Sequence, residues 1–342
     1  MPEQNKPRIA LVGTDSMPGK EVMDVLSRKK FPVKKAEFFD PGVKEEYSKL
    51  TQFNQEPRVI HSLDRLIMEE LDLIFLAGDK QVNKKIGTQA IKNKVFAIDL
   101  SGAFWGQEEV SVIVSGINDR EIDQKGCYLV ENPHPVTIML SHILKKAIQK
   151  FGIVKTVSFV LQPVSAFGTP GVEELAGQSA DILNKGSSRR KVFKAQIAFN
   201  LLSQSESVDD DGISQMERRM LSELKRTLKD HQSSISLVQA PVFHGYSVMT
   251  YMEFEKEADI TSIEGLYRES DDFQFYSPSL ECPVSPALTS GKEKIFIGQV
   301  KKDIVCPNSY WIWAVADNLT VGSALNAYHI ALKMVSRKEN ST

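Results

Sequence analysis

The stretch Gly13-Thr14-Asp15-Ser16-Met17-Pro18-Gly19 separates an apolar run, Arg8 to Val12, from a helical pattern. A turn between a first strand and a first helix is where a dinucleotide's pyrophosphate would rest, on backbone N–H groups and the positive end of the helix. The outer glycines stand close to the spacing such a turn needs. Its middle glycine is Ser16, at a position where any side chain obstructs the phosphates, and Asp15 adds a negative charge beside them. Asp40, about 20 residues past Gly19, stands where an acid would accept a hydrogen bond from an adenosine ribose and would repel a 2′-phosphate. Gly13, Thr14, Ser16, Met17, Pro18, Gly19 and Asp40 are therefore the candidate cofactor contacts, for NAD or NADP with NAD favoured. The competing reading is a plain strand-to-helix junction, with Asp40-Pro41-Gly42 an ordinary turn.

Other chemistry-bearing residues are sparse. The three cysteines, Cys127, Cys282 and Cys306, are scattered and odd in number, so neither a disulfide framework nor a zinc site is expected. Each reads as an inert small side chain. The basic run Ser188-Arg189-Arg190-Lys191 reads as a solvated surface. With a net charge of -2, nothing implies attraction to nucleic acid or to an anionic membrane. The polar start Met1-Pro2-Glu3-Gln4-Asn5-Lys6 lacks the apolar core of a secretory signal, and no stretch approaches a membrane span. A cytoplasmic protein is expected.

The elements that must position these residues are legible. Short apolar runs at Arg8–Val12, Ala36–Phe39, Leu71–Ala77, Val95–Ile98 and Tyr128–Val130 read as strands, and helical patterns lie near 20–27 and 82–92. Strand, crossover and strand repeated this way predict an α/β fold, a doubly wound parallel sheet of Rossmann type ending near Tyr128–Val130. A helix over Thr137–Lys150 follows. Next come longer β-patterned runs at 156–164, 246–254, 295–297 and 310–315, with helices at 172–183 and 216–228 between them. That is a second, α+β domain. The acidic segment Ser207 to Gly212 is the clearest internal linker.

The order of motifs resembles that of aspartate-semialdehyde dehydrogenases from Ile9 to Ala331. After the Gly-rich turn come Ser101-Gly102-Ala103-Phe104-Trp105 and Asn132-Pro133-His134-Pro135 before a helix. Gln162 lies on a strand, Met216-Glu217-Arg218-Arg219 on a helix, and Gln239-Ala240-Pro241-Val242-Phe243-His244-Gly245-Tyr246-Ser247 further on. Val315-Ala316-Asp317-Asn318-Leu319 opens the last helix. The resemblance implies a dinucleotide-binding-type domain over 1–134, completed by 318–342, and a substrate and dimerisation domain over 135–317. It also implies a homodimer, with a mixed dimer beside an active relative as a further possibility.

That family forms an acyl-enzyme on a thiolate, transfers hydride with NADP and uses a histidine as acid and base. Here Pro135 falls on the nucleophile position and Tyr246 on that of the base. Proline carries no nucleophile, yet it suits the first turn of a helix. Tyrosine is a poor base at neutral pH. Trp105 replaces the arginine that holds phosphate, Gln239 the arginine that holds the substrate carboxylate, and Arg219 a lysine, with Met216 in place of a glutamate. Neither Trp nor Gln reproduces an arginine fork. Asn132, Gln162, Gly171, Glu223, Gly245, Ser247 and Asn318 match the family pattern. Trp105, Asn132, Gln162, Arg219, Gln239 and Tyr246 are thus the candidate pocket residues, and Asn318 joins the candidate cofactor contacts. The expectation is a family member without its dehydrogenase activity, serving as a dimeric scaffold or ligand-binding protein. The alternatives are an NAD(P)-dependent oxidoreductase of non-thiol chemistry, with Tyr246 or His134 handling protons, and a regulatory partner.

Overall fold

The structure, a computed structural model, describes residues 6–44, 49–123, 126–186, 190–229, 231–277 and 283–339. Cys282 and the Ser188-Arg189 part of the basic run lie outside the described residues. The chain divides into two units, one formed by residues 1–134 and 323–342, the other by 135–322.

The first unit is built on strands β1 (Arg8–Val12), β2 (Lys35–Phe39), β3 (Lys49–Phe53), β4 (Glu56–His61), β5 (Leu73–Leu76), β6 (Phe96–Asp99), β7 (Ser111–Val112) and β8 (Leu129–Glu131). They lie in the order β3-β4-β2-β1-β5-β6-β8-β7, parallel except for the β3–β4 pair. Helices α1 (Met17–Arg28) and α2 (Lys80–Lys92) are crossovers, and the C-terminal helix of the chain (Leu325–Glu339) packs with α1. The central strands are apolar throughout because both faces are covered. One face packs Leu11 and Phe75 against Val25 and Leu26 of α1 and Ile330 of the last helix. The other packs Ala10 and Ile74 with Ile86 and Ala90 of α2.

The pattern-based sheet differs from the structure at its edges. β7 lies beyond the Leu129–Glu131 strand, and the β3–β4 hairpin extends the opposite edge. Helix α1 begins at Met17 rather than Lys20: Ser16 caps it, its hydroxyl accepting from the Gly19 N–H at 2.9 Å, and Pro18 sits in the first turn. Such a cap contributes about 1 kcal/mol.

The second unit holds α3 (Pro135–Phe151), β9 (Ile153–Gln162), α4 (Gly168–Leu183), α5 (Gln215–Leu228), β10 (Ser233–Gln239), β11 (Tyr246–Phe254), α6 (Ile260–Arg268), β12 (Phe273–Phe275), α7 (Pro286–Thr289), β13 (Ile295–Lys302) and β14 (Ser309–Ala316). Its mixed sheet runs β10-β9-β11-β14-β13-β12. Helices α3, α5 and α6 pack on one face. On the other, directly opposed residues form apolar rows: Val157 with Tyr251 and Trp311, and Phe159 with Met249 and Trp313. Val157 and Phe159 are each 43% exposed there.

The acidic segment, expected as an internal linker, is instead a loop held onto a helix. Asp209 accepts from the N–H groups of Asp211 and Ile213, and Arg218 of α5 pairs with both Asp209 and Asp211. These contacts fold the loop onto the start of α5, whose N-cap Ser214 and Glu217 form a capping box.

Asp272, in the turn before β12, faces His142 and Lys146 of α3, with Nδ1 and Nζ each 3.8 Å from its carboxylate. The His142 imidazole first, then the Lys146 charge, holds its pKa down to about 2. A depressed carboxylate contributes stability that is complete above its ordinary value and is lost as pH falls through the folded one. Asp272→Asn is therefore expected to lower stability by about 1 kcal/mol or less at pH 7, the pair being half exposed. In urea titrations the gap to wild type should narrow below about pH 4 and close near pH 2; a gap independent of pH would refute this account.

Candidate functional site

Two clusters carry the residues that the sequence singled out, one in each unit. In the first, the turn after β1 sits where β1 is flanked by β2 and β5. Gly13 has φ +81°, and a Cβ there would lie 2.3 Å from the Gly78 nitrogen, so only glycine fits. The N–H groups of Gly13 and Thr14 both donate to the Phe39 carbonyl, at 2.9 and 3.2 Å, and the Thr14 hydroxyl lies 3.0 Å from the same oxygen. Ser16 has an ordinary extended backbone, φ -65° and ψ 157°. Its Oγ points inward, 2.8 Å from both the Gly13 and the Ala77 carbonyl oxygens. The expectation that the Ser16 side chain stands in the path of a phosphate thus gives way to a capping serine turned into the turn. Asp40 accepts from the Asp15 N–H at 3.0 Å and from the Gly42 N–H at 2.9 Å. Lys49, on the hairpin that the pattern did not reveal, pairs with Asp15.

Two further candidates of this unit lie elsewhere in it. Asn132 accepts through Oδ1 from the Asn326 amide at 2.7 Å, and its own N–H donates to the Asp99 carbonyl. It ties the end of β8 to the last helix. Trp105 follows a turn organised by Asp99, whose carboxylate accepts from the Ser101 and Ala103 N–H groups. Its indole Nε1–H is buried without a hydrogen-bond partner.

In the second unit, Pro135 is the first residue of α3, and its ring packs on Gly322, where a Cβ would come within 2.6 Å of the Pro135 Cβ. Two residues on, the Thr137 hydroxyl donates to Glu223 Oε2 at 2.6 Å, and Arg219 Nε donates to Oε1 of the same carboxylate at 2.6 Å. Glu223 is fully buried and Arg219 nearly so. Thr137 escaped the sequence reading, although its place in the first turn of α3 was a usable signal.

The Arg219 charge reaches Tyr246, whose ring is buried at the start of β11. The Tyr246 hydroxyl donates to Gln162 Oε1 at 3.2 Å. The Gln162 amide donates to Gln239 Oε1 at 2.9 Å, and the Gln239 amide returns to the Gln162 carbonyl at 2.9 Å. Gln162 and Gln239 are thus paired across β9 and β10. Burial pushes the Tyr246 phenol well above its ordinary range and Glu206 adds to this, while the Arg219 charge opposes it. Asn318 belongs to the second unit: its Oδ1 accepts from the Gly245 N–H at 2.9 Å and the Ser165 hydroxyl at 3.2 Å, fixing the entry to β11. His244 is partly buried, and His134 is buried.

Neither described cysteine joins these clusters. Cys127 packs against the core of the first unit. Cys306 is exposed in the turn between β13 and β14, at the opposite end of β14 from the Ala316–Tyr246 pair and so about 20 Å or more away. Among the described residues no group of three or more His, Cys, Asp or Glu side chains could hold a metal, and no helix is long and apolar enough to cross a membrane.

Residues 8–125 match the model of the semialdehyde dehydrogenase NAD binding domain, and residues 144–321 that of the semialdehyde dehydrogenase dimerisation domain. The chain belongs to the semialdehyde dehydrogenase family. It is 28% identical to the aspartate-semialdehyde dehydrogenase of Rickettsia bellii over 96% of this chain and 98% of that one. It is also 28% identical to that of Aquifex aeolicus, over 96% and 98%. The solved structure of aspartate semialdehyde dehydrogenase II from Vibrio cholerae, complexed with ASA, superposes with a TM-score of 0.91 at 25% identity, covering 97% of this chain and 98% of that one. A Rossmann-type parallel sheet with a separate dimerisation domain is thus the fold of this chain and of those enzymes.

Within the family's layout, the Arg219–Glu223–Thr137 arrangement is a buried ion pair with its carboxylate doubly satisfied. Removing one partner strands the other charge, which costs about 3–5 kcal/mol, whereas replacing both by apolar residues is often neutral. Arg219→Met should therefore lower the unfolding free energy by about 3–5 kcal/mol, with Arg219→Met/Glu223→Met restoring most of it. Chemical denaturation of the three proteins decides this, and a double variant as unstable as the single one would rule out stranded charge as the cause.

Proposed function

We propose that this chain is a member of the semialdehyde dehydrogenase family that does not perform the family's covalent reaction, and that it serves as a dimeric scaffold or ligand-binding protein. The observation that carries this reading is Pro135 as the first residue of α3, packed on Gly322, at the position that the resemblance assigns to the thiol. A helix start lowers the pKa of a thiol and so prepares it for attack on a carbonyl. Proline brings no attacking atom and no N–H to that turn.

The base position supports the same reading. A phenol held above its ordinary range by burial, donating to Gln162, neither takes nor gives a proton readily at neutral pH. This also weighs against a non-thiol oxidoreductase that relies on Tyr246. Gln239 supplies no charge to a substrate carboxylate, because its amide is committed to Gln162 and Ala240 carbonyls. A ligand of this unit is accordingly less anionic than an aspartyl phosphate. Purified protein supplied with aspartate semialdehyde, phosphate and either NAD or NADP should show no turnover above background. Robust turnover that tracks the protein through purification would end this reading.

The unit completed by the last helix is the dinucleotide-binding-type part by descent, and residues 135–317 are the substrate and dimerisation part. We place the homodimer contact on the face of the second sheet opposite α3, α5 and α6, part of which the 284–288 segment covers at Trp313. Val157, Phe159, Met249, Trp311 and Trp313 form a contiguous apolar surface there, of the kind that interfaces cover. The cytoplasmic expectation rests on the scattered cysteines. Phe159→Glu would place a charge in the middle of that surface. Wild type is expected at dimer mass by light scattering and the variant at monomer mass with an unchanged circular dichroism spectrum; a dimeric variant would move the contact elsewhere.

A further inference from the structure

We infer that the first unit does not hold a dinucleotide, because the N–H groups of its turn other than that of Met17 are already committed within the chain and two carboxylates stand beside them. A turn binds phosphate when successive N–H groups point outward unpaired at the start of a helix. Here the N–H groups of Gly13 and Thr14 go to the Phe39 carbonyl, that of Asp15 to the Asp40 carboxylate, and that of Ser16 to the Gly13 carbonyl at 3.1 Å. The Gly19 N–H goes to Ser16 Oγ. Pro18, in the first turn of α1, has no N–H to offer.

Asp40 is likewise engaged within the chain. An acid after β2 would accept from a ribose hydroxyl, whereas the Asp40 carboxylate is turned onto the chain's own backbone, with Oδ2 on the Asp15 N–H and Oδ1 on the Gly42 N–H, and keeps one acceptor site on each oxygen. The charge balance is adverse as well. Two carboxylates, Asp15 and Asp40, stand where two phosphate charges would have to come, and Lys49 is engaged with Asp15. A pyrophosphate would have to displace the Asp40 carboxylate from the Asp15 N–H and then remain beside it. The chain's own carboxylate stands in for the anion, delivered by β2 rather than by a ligand.

This goes beyond the loss of the thiol, since a protein without a nucleophile can still bind a cofactor. The full-length protein, titrated calorimetrically with NAD, NADP and ADP-ribose to millimolar concentration, is expected to give no saturable heat, and its Tm should stay flat with each. Saturable binding of any of them, competed by ADP, overturns the inference; binding without turnover would do so while leaving the reading of Pro135 intact. Hydrogen exchange of the ligand-free protein provides a second decision: the Asp15 and Gly19 amides should be protected, and fast exchange at both would also overturn it. The double variant Pro18→Ala/Asp40→Ala returns two N–H donors and removes one carboxylate. It is expected to bind ADP-ribose at least ten-fold more tightly than wild type, and a folded variant that stays silent would show that these groups are not what excludes the cofactor. Should that variant fail to fold, the wild-type titration and the exchange measurement still decide.

Discussion

A helix start presents backbone N–H groups that the helix itself cannot satisfy, and the chemistry of this fold is built on leaving some of them to a ligand or a thiolate. In this chain a proline enters the first turn at both places that matter, Pro18 in α1 and Pro135 in α3. Each removes a donor at no cost to the helix, since that donor had no partner inside it. At α1 the Gly19 N–H is taken by Ser16 Oγ and, one residue before the cap, the Asp15 N–H by Asp40, which leaves the Met17 N–H. The start of α1 is thereby capped from within the chain.

The second unit obeys the same rule by a different route. A buried charge must be paired or neutralised. Where the resemblance expects an arginine and a histidine, the structure has Gln239 and Tyr246, both uncharged, joined through Gln162 in a continuous set of hydrogen bonds. The charge that remains, Arg219, is held by Glu223, and Glu223 in turn by Thr137. A polar cluster satisfied in this way rigidifies the junction of α3, α5 and the sheet. The same satisfaction leaves few groups free to grip a substrate.

Much of this architecture was legible in the sequence, and the failures have local causes. The continuous apolar runs of β1, β5 and β6 announced a covered parallel sheet, and β11, at nine residues, was bounded to the residue. The β3–β4 hairpin was not seen: its two turn residues, Asn54 and Gln55, both have positive φ, but neither is the glycine that signals such a turn. Strand β10 hid behind three serines at a sheet edge, where only alternate positions are buried. The candidate residues could be placed on their elements, yet not their partners. Asp40 meets Asp15 only because β2 lies beside β1, and Lys49 reaches the turn from a hairpin that had not been recognised. Spacing in sequence holds no trace of such contacts.

The replacements differ in how well their surroundings accept them, and that difference bears on how the fold came to tolerate them. Pro135 fits its helix turn and Gly322, Ser16 is a better cap than the glycine it replaces, and Gln162, Gln239 and Tyr246 satisfy one another. Uncompensated substitutions would leave buried donors and acceptors unmatched, at about 1–3 kcal/mol each. Among these positions Trp105 is the exception, its indole N–H buried with no acceptor. Matched donors and acceptors at the other positions are what selection for a stable fold maintains, whatever reaction the protein performs.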